Sequence, residues 1–475
     1  MFFNRQGFNQ AKFRRDIVGI NKKVPVAGGG YIKYINLDNA ASTPVLRPVL
    51  DKVNEFMDWY SSVHRGTGFK SQVSTHVYDE AHEIVGGFVK ADLAKNCVVF
   101  VKNTTEAINK ISYRLGLTKN DMVITTMMEH HSNDLPWRPR AQTVYARTDE
   151  KGALDYQDLE TKIKRYRGKL KLVSVSGASN VTGYKNDVER IAVMAHRAGA
   201  PVLVDGAQLI PHSPLDVRPD DHPAHIDYLV FSAHKMYAPF GTGVLIGPNN
   251  IFLKDAPEYT GGGTINIVTS QLVEWAGLPD REEAGSPNVV GAVALAEAVE
   301  YLLRQGMRNI ENYERNLTAY ALRRLNEIKG LKIYGETNPS RIQNRVGVIT
   351  FNLNGVPHSL TAAALAWEGG IAVRNGCFCA QPYMLHLLNL KPQQVSQLIH
   401  RKRTGNMENI PGMVRVSLAA YNNHSDIDRL ADCLGRIRKM SKSGELAKRY
   451  CFSRETGAYY PRDAKVNPED IFKFG

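Results

Sequence analysis

Between about residues 96 and 247, short apolar runs recur along the chain, at 98–101, 122–125, 143–146, 172–175, 202–204, 228–231 and 244–246. Most are too short for helices. They also lack the apolar–polar alternation of a strand with one wet face, so they predict strands buried on both sides. Helical spacing fills several of the gaps, as at 105–115 and 186–198. This alternation predicts an α/β fold in which a mostly parallel, seven-stranded sheet carries helices on both faces.

The pattern changes after residue 288. Long helical stretches at 289–304 and 309–328 lead to apolar runs at 346–353 and 414–418, with helices between and after them. This predicts a second, smaller C-terminal α/β domain. The expected organisation is an N-terminal segment (1–30) packing with the small domain, a large domain (31–288), a small domain (289–444) and an aromatic, charged tail (445–475). Within the small domain, 386–412 starts helical and becomes turn-rich and basic. It reads as an insertion, either a lid or docking element or a tolerated surface loop.

In open α/β sheets, chemistry gathers at the carboxyl ends of the strands. The run 202–204 is followed by Asp205-Gly-Ala-Gln208, and 228–231 by Ser232-Ala-His234-Lys235. The run 98–101 leads to Asn103-Thr104-Thr105, a helix start with two hydroxyls; 122–125 leads to Glu129-His130; and 172–175 leads to Ser179-Asn180. Singly, each has an ordinary structural explanation: an Asp or Thr caps a helix, a Lys is solvated, a His is a satisfied structural group. Their arrival together at successive strand ends matches the needs of pyridoxal phosphate. That cofactor requires a lysine for a Schiff base, an acid to keep the pyridine nitrogen protonated and donors for its phosphate. A helix N-terminus supplies such donors through its free N–H groups. His130 is a planar group able to stack on the ring, and Gln208 a donor to the phenolic oxygen.

Composition narrows the class. The chain has 475 residues, 43% hydrophobic and 23% charged, ordinary for a soluble globular protein. It has no run of ~18 apolar residues, and its basic N-terminus lacks an apolar core and a small-residue cleavage site. A cytoplasmic location is expected. Five cysteines are too sparse for a disulfide framework and suggest reduced thiols. The formal net charge is +13, with basic clusters at 162–169, 401–403 and 439–462. None is interleaved with aromatics as in a nucleic-acid motif; they read as solvated surface, with a docking patch as the alternative. Neither nucleic acid nor a membrane is an expected partner.

Two of the five cysteines lie together in Arg374-Asn-Gly-Cys377-Phe-Cys379. Metal ligation is disfavoured, because no second pair is close in sequence and no metal site is expected. Packing, a disulfide and a nucleophile remain open from these residues alone.

The chain resembles class-V aminotransferase-fold enzymes, most closely the cysteine desulfurase and selenocysteine lyase branch. The matching stretches are YINLDNAASTP, SSVHRGTG, NTTEAIN, MEHHSNDLPW, SNVTG, VLVDGAQ, FSAHKMYAPFGTGVL, EAGSPN, RNGCFCAQP and RVSLAAYNN, in family order from about residue 31 to 425. The resemblance implies pyridoxal-phosphate fold type I and a homodimer. It makes Lys235 the Schiff-base lysine, Asp205 the pyridinium partner, His130 the stacking catalytic residue and Gln208 the phenolic-oxygen donor. Thr104, Thr105, Ser232 and His234 become phosphate ligands, and Ser286 one that reaches the phosphate from the other subunit. Asn180, Arg374 and Arg415 become substrate-binding residues and Cys379 the catalytic nucleophile. The implied reaction converts L-cysteine to L-alanine and an enzyme persulfide, with selenocysteine as a related substrate and a sulfur-acceptor protein as a candidate partner. A class-V aminotransferase, an epimerase or a C–S lyase of a larger thioether would need Lys235 but not Cys379. A scaffold subunit would need none of the set. The chain departs from the family in two places: Cys377-Phe378 stands where relatives carry histidines, and the span from Cys379 to Arg415 is longer.

Overall fold

A computed structural model describes residues 8–405, 408, 410–463, 469 and 471–474. The seven apolar runs form one sheet: β1 (Asn96–Val101), β2 (Met122–Thr126), β3 (Gln142–Ala146), β4 (Leu170–Ser176), β5 (Val202–Asp205), β6 (Tyr228–Ser232) and β7 (Gly243–Pro248). Their order is β1-β7-β6-β5-β4-β2-β3. Only β7 runs antiparallel to its neighbours; the remaining pairs are parallel. The fold is the expected α/β arrangement with a mostly parallel seven-stranded sheet.

Burial on both faces explains why these runs do not alternate. Val98, Ile124, Val173, Val204, Leu229 and Val244 enter one core, whereas their neighbours Val99, Val123, Leu172, Leu203, Val230 and Leu245 enter the core on the other face. Helix Val289–Gln305 is buried around most of its circumference and packs on helices Arg47–Met57 and Phe69–Phe88.

A second sheet contains β8 (Leu331–Tyr334), β9 (Val348–Leu353), β10 (Arg374–Gly376) and β11 (Met413–Ser417), antiparallel throughout in the order β8-β9-β11-β10. It has its own core, built on Leu322, Phe351, Leu365, Val416 and Leu434. Between β10 and β11 lie helices Gln381–Leu387 and Pro392–Arg403, the second ending in the basic cluster at 401–403.

Residues 8–30 are not confined to the smaller sheet's elements. Phe13 is fully buried against Tyr237 and Tyr301, at ring separations of 5.2 and 5.4 Å, in the core of the large sheet. The next residue, Arg14, pairs with Asp426 at 2.7 Å in the helix after β11. In the tail, residues 450–461 form a hairpin, Tyr450–Ser453 against Ala458–Pro461. No described helix is long and apolar enough to cross a membrane.

Candidate active site

The site lies at the carboxyl ends of β1, β2, β4, β5 and β6. Two local features bring the first helix onto it. Asn103 caps helix Thr104–Arg114 by accepting from the Glu106 N–H at 3.0 Å. Gly243, opening β7, lies so close to the preceding turn that a Cβ there would sit 2.5 Å from Asn103 Cα. Glycine therefore lets the helix start lie over the end of β6. The Thr104 N–H donates to Ser232 Oγ at 2.8 Å, and the two hydroxyls are 2.6 Å apart. Thr105 Oγ1 lies 2.7 Å from Ser132 Oγ, which in turn lies 2.9 Å from His130 Nδ1. The free N–H groups of this helix start and the surrounding hydroxyls form an anion cradle.

Asp205 ends β5 and Lys235 follows β6. Burial raises the Asp205 carboxyl above the ordinary carboxylate range, against the opposing effects of the Ala207 N–H and Lys235. Burial pushes Lys235 down to about 8, while Asp205 and Cys379 pull it the other way and Arg415 adds to the fall. Each group is thus closer to neutrality than it would be in water. Burial, with Lys235, His131 and Arg415 nearby, pushes His130 down to about 3, so its ring is neutral at physiological pH. The Ser132 N–H donates to His130 Nδ1 at 3.1 Å. A backbone N–H can only donate, so Nδ1 is unprotonated and Nε2 carries the ring proton. Burial followed by Lys235 lowers His234 to about 4.

Arg415 comes from β11 and is 3% exposed, whereas Arg374 at the start of β10 is 58% exposed. Asp38 bridges them, 2.9 Å from Arg415 Nη2 and 3.7 Å from Arg374 Nη1. Arg415 Nη1 also donates to Asn180 O at 3.1 Å, and its guanidinium lies 5.1 Å from the centre of the Phe378 ring. Desolvation lowers the Arg415 pKa, with Asp38 opposing.

After β10 the chain turns sharply. The Ala380 N–H donates to Cys377 O at 3.0 Å, and Phe378 and Cys379 both adopt left-handed conformations, φ 53° and 54°. Two successive non-glycine residues in this region are strained by roughly 1–3 kcal/mol each. Three hydrogen bonds from the large sheet's loops hold them: Asn180 Nδ2 to Phe378 O at 2.7 Å, the His131 N–H to Cys379 O at 2.6 Å and the Gln381 N–H to His131 Nε2 at 3.1 Å. Cys379 is exposed and Cys377 half-buried.

One cavity of about 520 Å³ is lined by Thr104, Thr105, His130, Asn180, Asp205, Gln208, Ser232, His234, Lys235, Arg374, Cys379 and Arg415. Ser286 is the one predicted site residue that this chain does not bring there. It lines a separate cavity with Tyr78, Phe100 and Glu283.

Three functional residues escaped the sequence reading. Asp38 and His131 lie inside quoted motifs but show their roles only through contacts distant in sequence. Glu129 is buried beneath His130 and receives four hydrogen bonds: from Ser176 N at 3.0 Å, Ser176 Oγ at 2.5 Å, Thr126 Oγ1 at 2.6 Å and Asn133 Nδ2 at 2.7 Å. Burial nevertheless pushes its carboxyl up to about 7. Among the described residues, no group of three or more His, Cys, Asp and Glu is placed to hold a metal ion.

The family model for aminotransferase class-V matches residues 35–430. The chain belongs to this family. A curated cysteine desulfurase of Escherichia coli is 36% identical over 91% of this chain and 99% of its own length. Another, from Yersinia pseudotuberculosis, is 36% identical over 86% of this chain and 94% of its own. The solved cysteine desulfurase of Thermococcus onnurineus NA1 superposes with a TM-score of 0.77 at 32% identity, covering 90% of this chain and 98% of that one. These likenesses put the chain among the cysteine desulfurases, pyridoxal-phosphate enzymes of fold type I, as its motifs implied. Buried polar atoms are left for a ligand to meet: Gln208 Oε1 and Arg415 Nε have no partner. With the anion cradle and the Lys235–Asp205 pair, they make a donor and acceptor set that fits pyridoxal phosphate and an amino-acid carboxylate.

Proposed function

We propose that the protein takes the sulfur of L-cysteine onto Cys379 and releases L-alanine. The observation that carries this reading is an exposed thiol sharing one cavity with a buried lysine, close enough for Cys379 to act electrostatically on Lys235 and Arg415. When bound, pyridoxal phosphate supplies an electron sink that stabilises negative charge at the substrate Cα.

The chain's own residues do the rest. The Thr104 and Thr105 helix start, with Ser232 and His234, holds the phosphate. Asp205 faces the ring nitrogen, neutral His130 packs over the ring and Gln208 meets its oxygen. Arg415 and Asn180 orient the substrate carboxylate, and Arg374 supplies positive charge at the mouth. Lys235 Nζ, depressed towards neutrality, moves the Cα proton. Cys379 Sγ forms an S–S bond as the substrate Cβ–S bond breaks, leaving a persulfide. Selenocysteine presents the same geometry and is a second substrate in this reading.

The proposed assembly is a cytoplasmic homodimer in which Ser286 of one copy reaches the phosphate of the other. The exposed basic end of helix Pro392–Arg403 receives an acidic sulfur-acceptor protein. The proposed organisation keeps a large domain at 31–288 and a small one at 289–444.

The test is product analysis of the pyridoxal-phosphate-loaded protein with L-cysteine and a reductant, for wild type and Cys379→Ala. Stoichiometric alanine and sulfide, lost in the variant while cofactor absorbance persists, is the expected result. Pyruvate or a keto acid, or turnover untouched by the substitution, would replace this reading with another class-V reaction.

A further inference from the structure

Cys377 stands apart from the chain's other half-buried and buried thiols. Cys97 and Cys433 are core packing groups, 6% and 0% exposed, and burial raises both their pKa values. Cys377 instead lines the catalytic cavity beside Cys379 while its other side packs on the large core. The two cysteines hold the first and third positions of the turn closed by the Ala380 N–H to Cys377 O bond. Both central residues are left-handed, the pattern of a type I′ turn. Two 3.8 Å steps folded this tightly leave about 5.5 Å between the two Cα atoms. That is close to the commonest Cα separation of a disulfide, about 5.5–6 Å. The turn is fixed from outside by Asn180 and His131, so the two thiols are held near each other without any bond between them.

We propose that Cys377 is a resolving thiol that discharges the Cys379 persulfide. The proposal rests on the desulfurase reading. The Cys377 thiolate attacks Cys379 Sγ, and a Cys377–Cys379 disulfide forms. The bond from Sγ to the terminal sulfur breaks, and that sulfur leaves with the electron pair as hydrosulfide. The Cys377 proton goes to solvent. A dithiol reductant then restores both thiols by exchange, supplying two electrons per turnover. The disulfide closes a very small ring across a strained turn, which makes it readily reducible. This chain would thus release free sulfide from its own active site, where a single-cysteine site would hold its persulfide until an external thiol arrived.

The test uses wild type and Cys377→Ser, each loaded with pyridoxal phosphate, freed of reductant and given one equivalent of L-cysteine. The reaction is quenched in acid and alkylated, and alanine, sulfide and intact mass are measured. Wild type should release sulfide matching its alanine, carry no added sulfur and resist alkylation at both positions. Cys377→Ser should form as much alanine, keep one added sulfur on Cys379 and release about tenfold less sulfide. A wild type that keeps the added sulfur, with Cys377 free to alkylate, overturns the proposal alone. Absence of alanine in both proteins overturns the desulfurase reading and this proposal with it. A substrate-free arm checks the geometry: a thiol oxidant should protect both cysteines in the wild type, and failure to do so overturns the proposal.

Discussion

Replacing Glu129 by Gln should alter how stability depends on pH by an amount the structure sets. The carboxyl accepts four hydrogen bonds, yet burial holds its pKa near 7, against about 4.5 for an ordinary glutamate. A folded-state pKa raised above the unfolded value means that the native protein binds the proton more tightly. The stabilisation is fully present below pH 4.5 and is lost as pH rises through 7. At pH 5 the two units below pH 7 are worth about 2.7 kcal/mol, and partial protonation of the unfolded chain takes back a few tenths, leaving about 2.5 kcal/mol. Glutamine does not titrate. Its amide also sets one N–H against Asn133 Nδ2 or a Ser176 donor, a constant cost of about 1–3 kcal/mol at every pH. The variant should therefore be clearly less stable than wild type at pH 5, with the gap closing by about 2.5 kcal/mol at pH 8.5. At roughly 2 cal/mol/K per residue, that change is about 2–3 °C in the difference between the two melting temperatures. Thermal unfolding of both holoproteins across this range is the assay. Parallel melting curves against pH would refute the argument, because they would mean that Glu129 stays ionised throughout.

Gly243→Ala should force the 102–104 turn away from β7, because the added Cβ meets backbone that cannot yield. We expect a loss of about 1–3 kcal/mol in stability and faster release of the cofactor on dialysis; unchanged cofactor absorbance would contradict the placement of the anion cradle. Arg415→Lys removes the fork that contacts both Asp38 and Asn180 O. With each charge-assisted bond worth about 1.5–3 kcal/mol, kcat/KM should fall roughly 10–100-fold with cofactor still bound, and an unchanged value would exclude Arg415 from substrate binding.

The large sheet was legible because strands buried on both faces write themselves as unbroken apolar runs, and its strand ends carried Asp205, Lys235 and Thr104 in plain view. The second sheet was less visible. β10 is three residues long and exposed for much of its length, so Arg374–Gly376 has no hydrophobic signature. The hairpin at 450–461 sits in an aromatic and charged stretch whose alternation is too short to stand out. Glu129 was hidden for another reason: a carboxylate two residues past a strand resembles a turn residue until Ser176, from β4, is found against it. The left-handed Phe378 and Cys379 carry no glycine to announce the turn. Ser286 can be read as a ligand only with a second copy in view, since within one chain it lies outside the site.

The neighbouring residues His130 and His131 divide the site between them. One presents its ring to the catalytic cavity; the other, through its backbone N–H and Nε2, grips the loop that carries Cys379. The distance from the nucleophilic sulfur to the floor of the cavity is therefore gauged by a dipeptide, not by how the two sheets happen to sit against each other. Thermal rocking between the sheets is decoupled from the dimension that matters most to sulfur transfer, and an insertion after Cys379 can lengthen without detuning it.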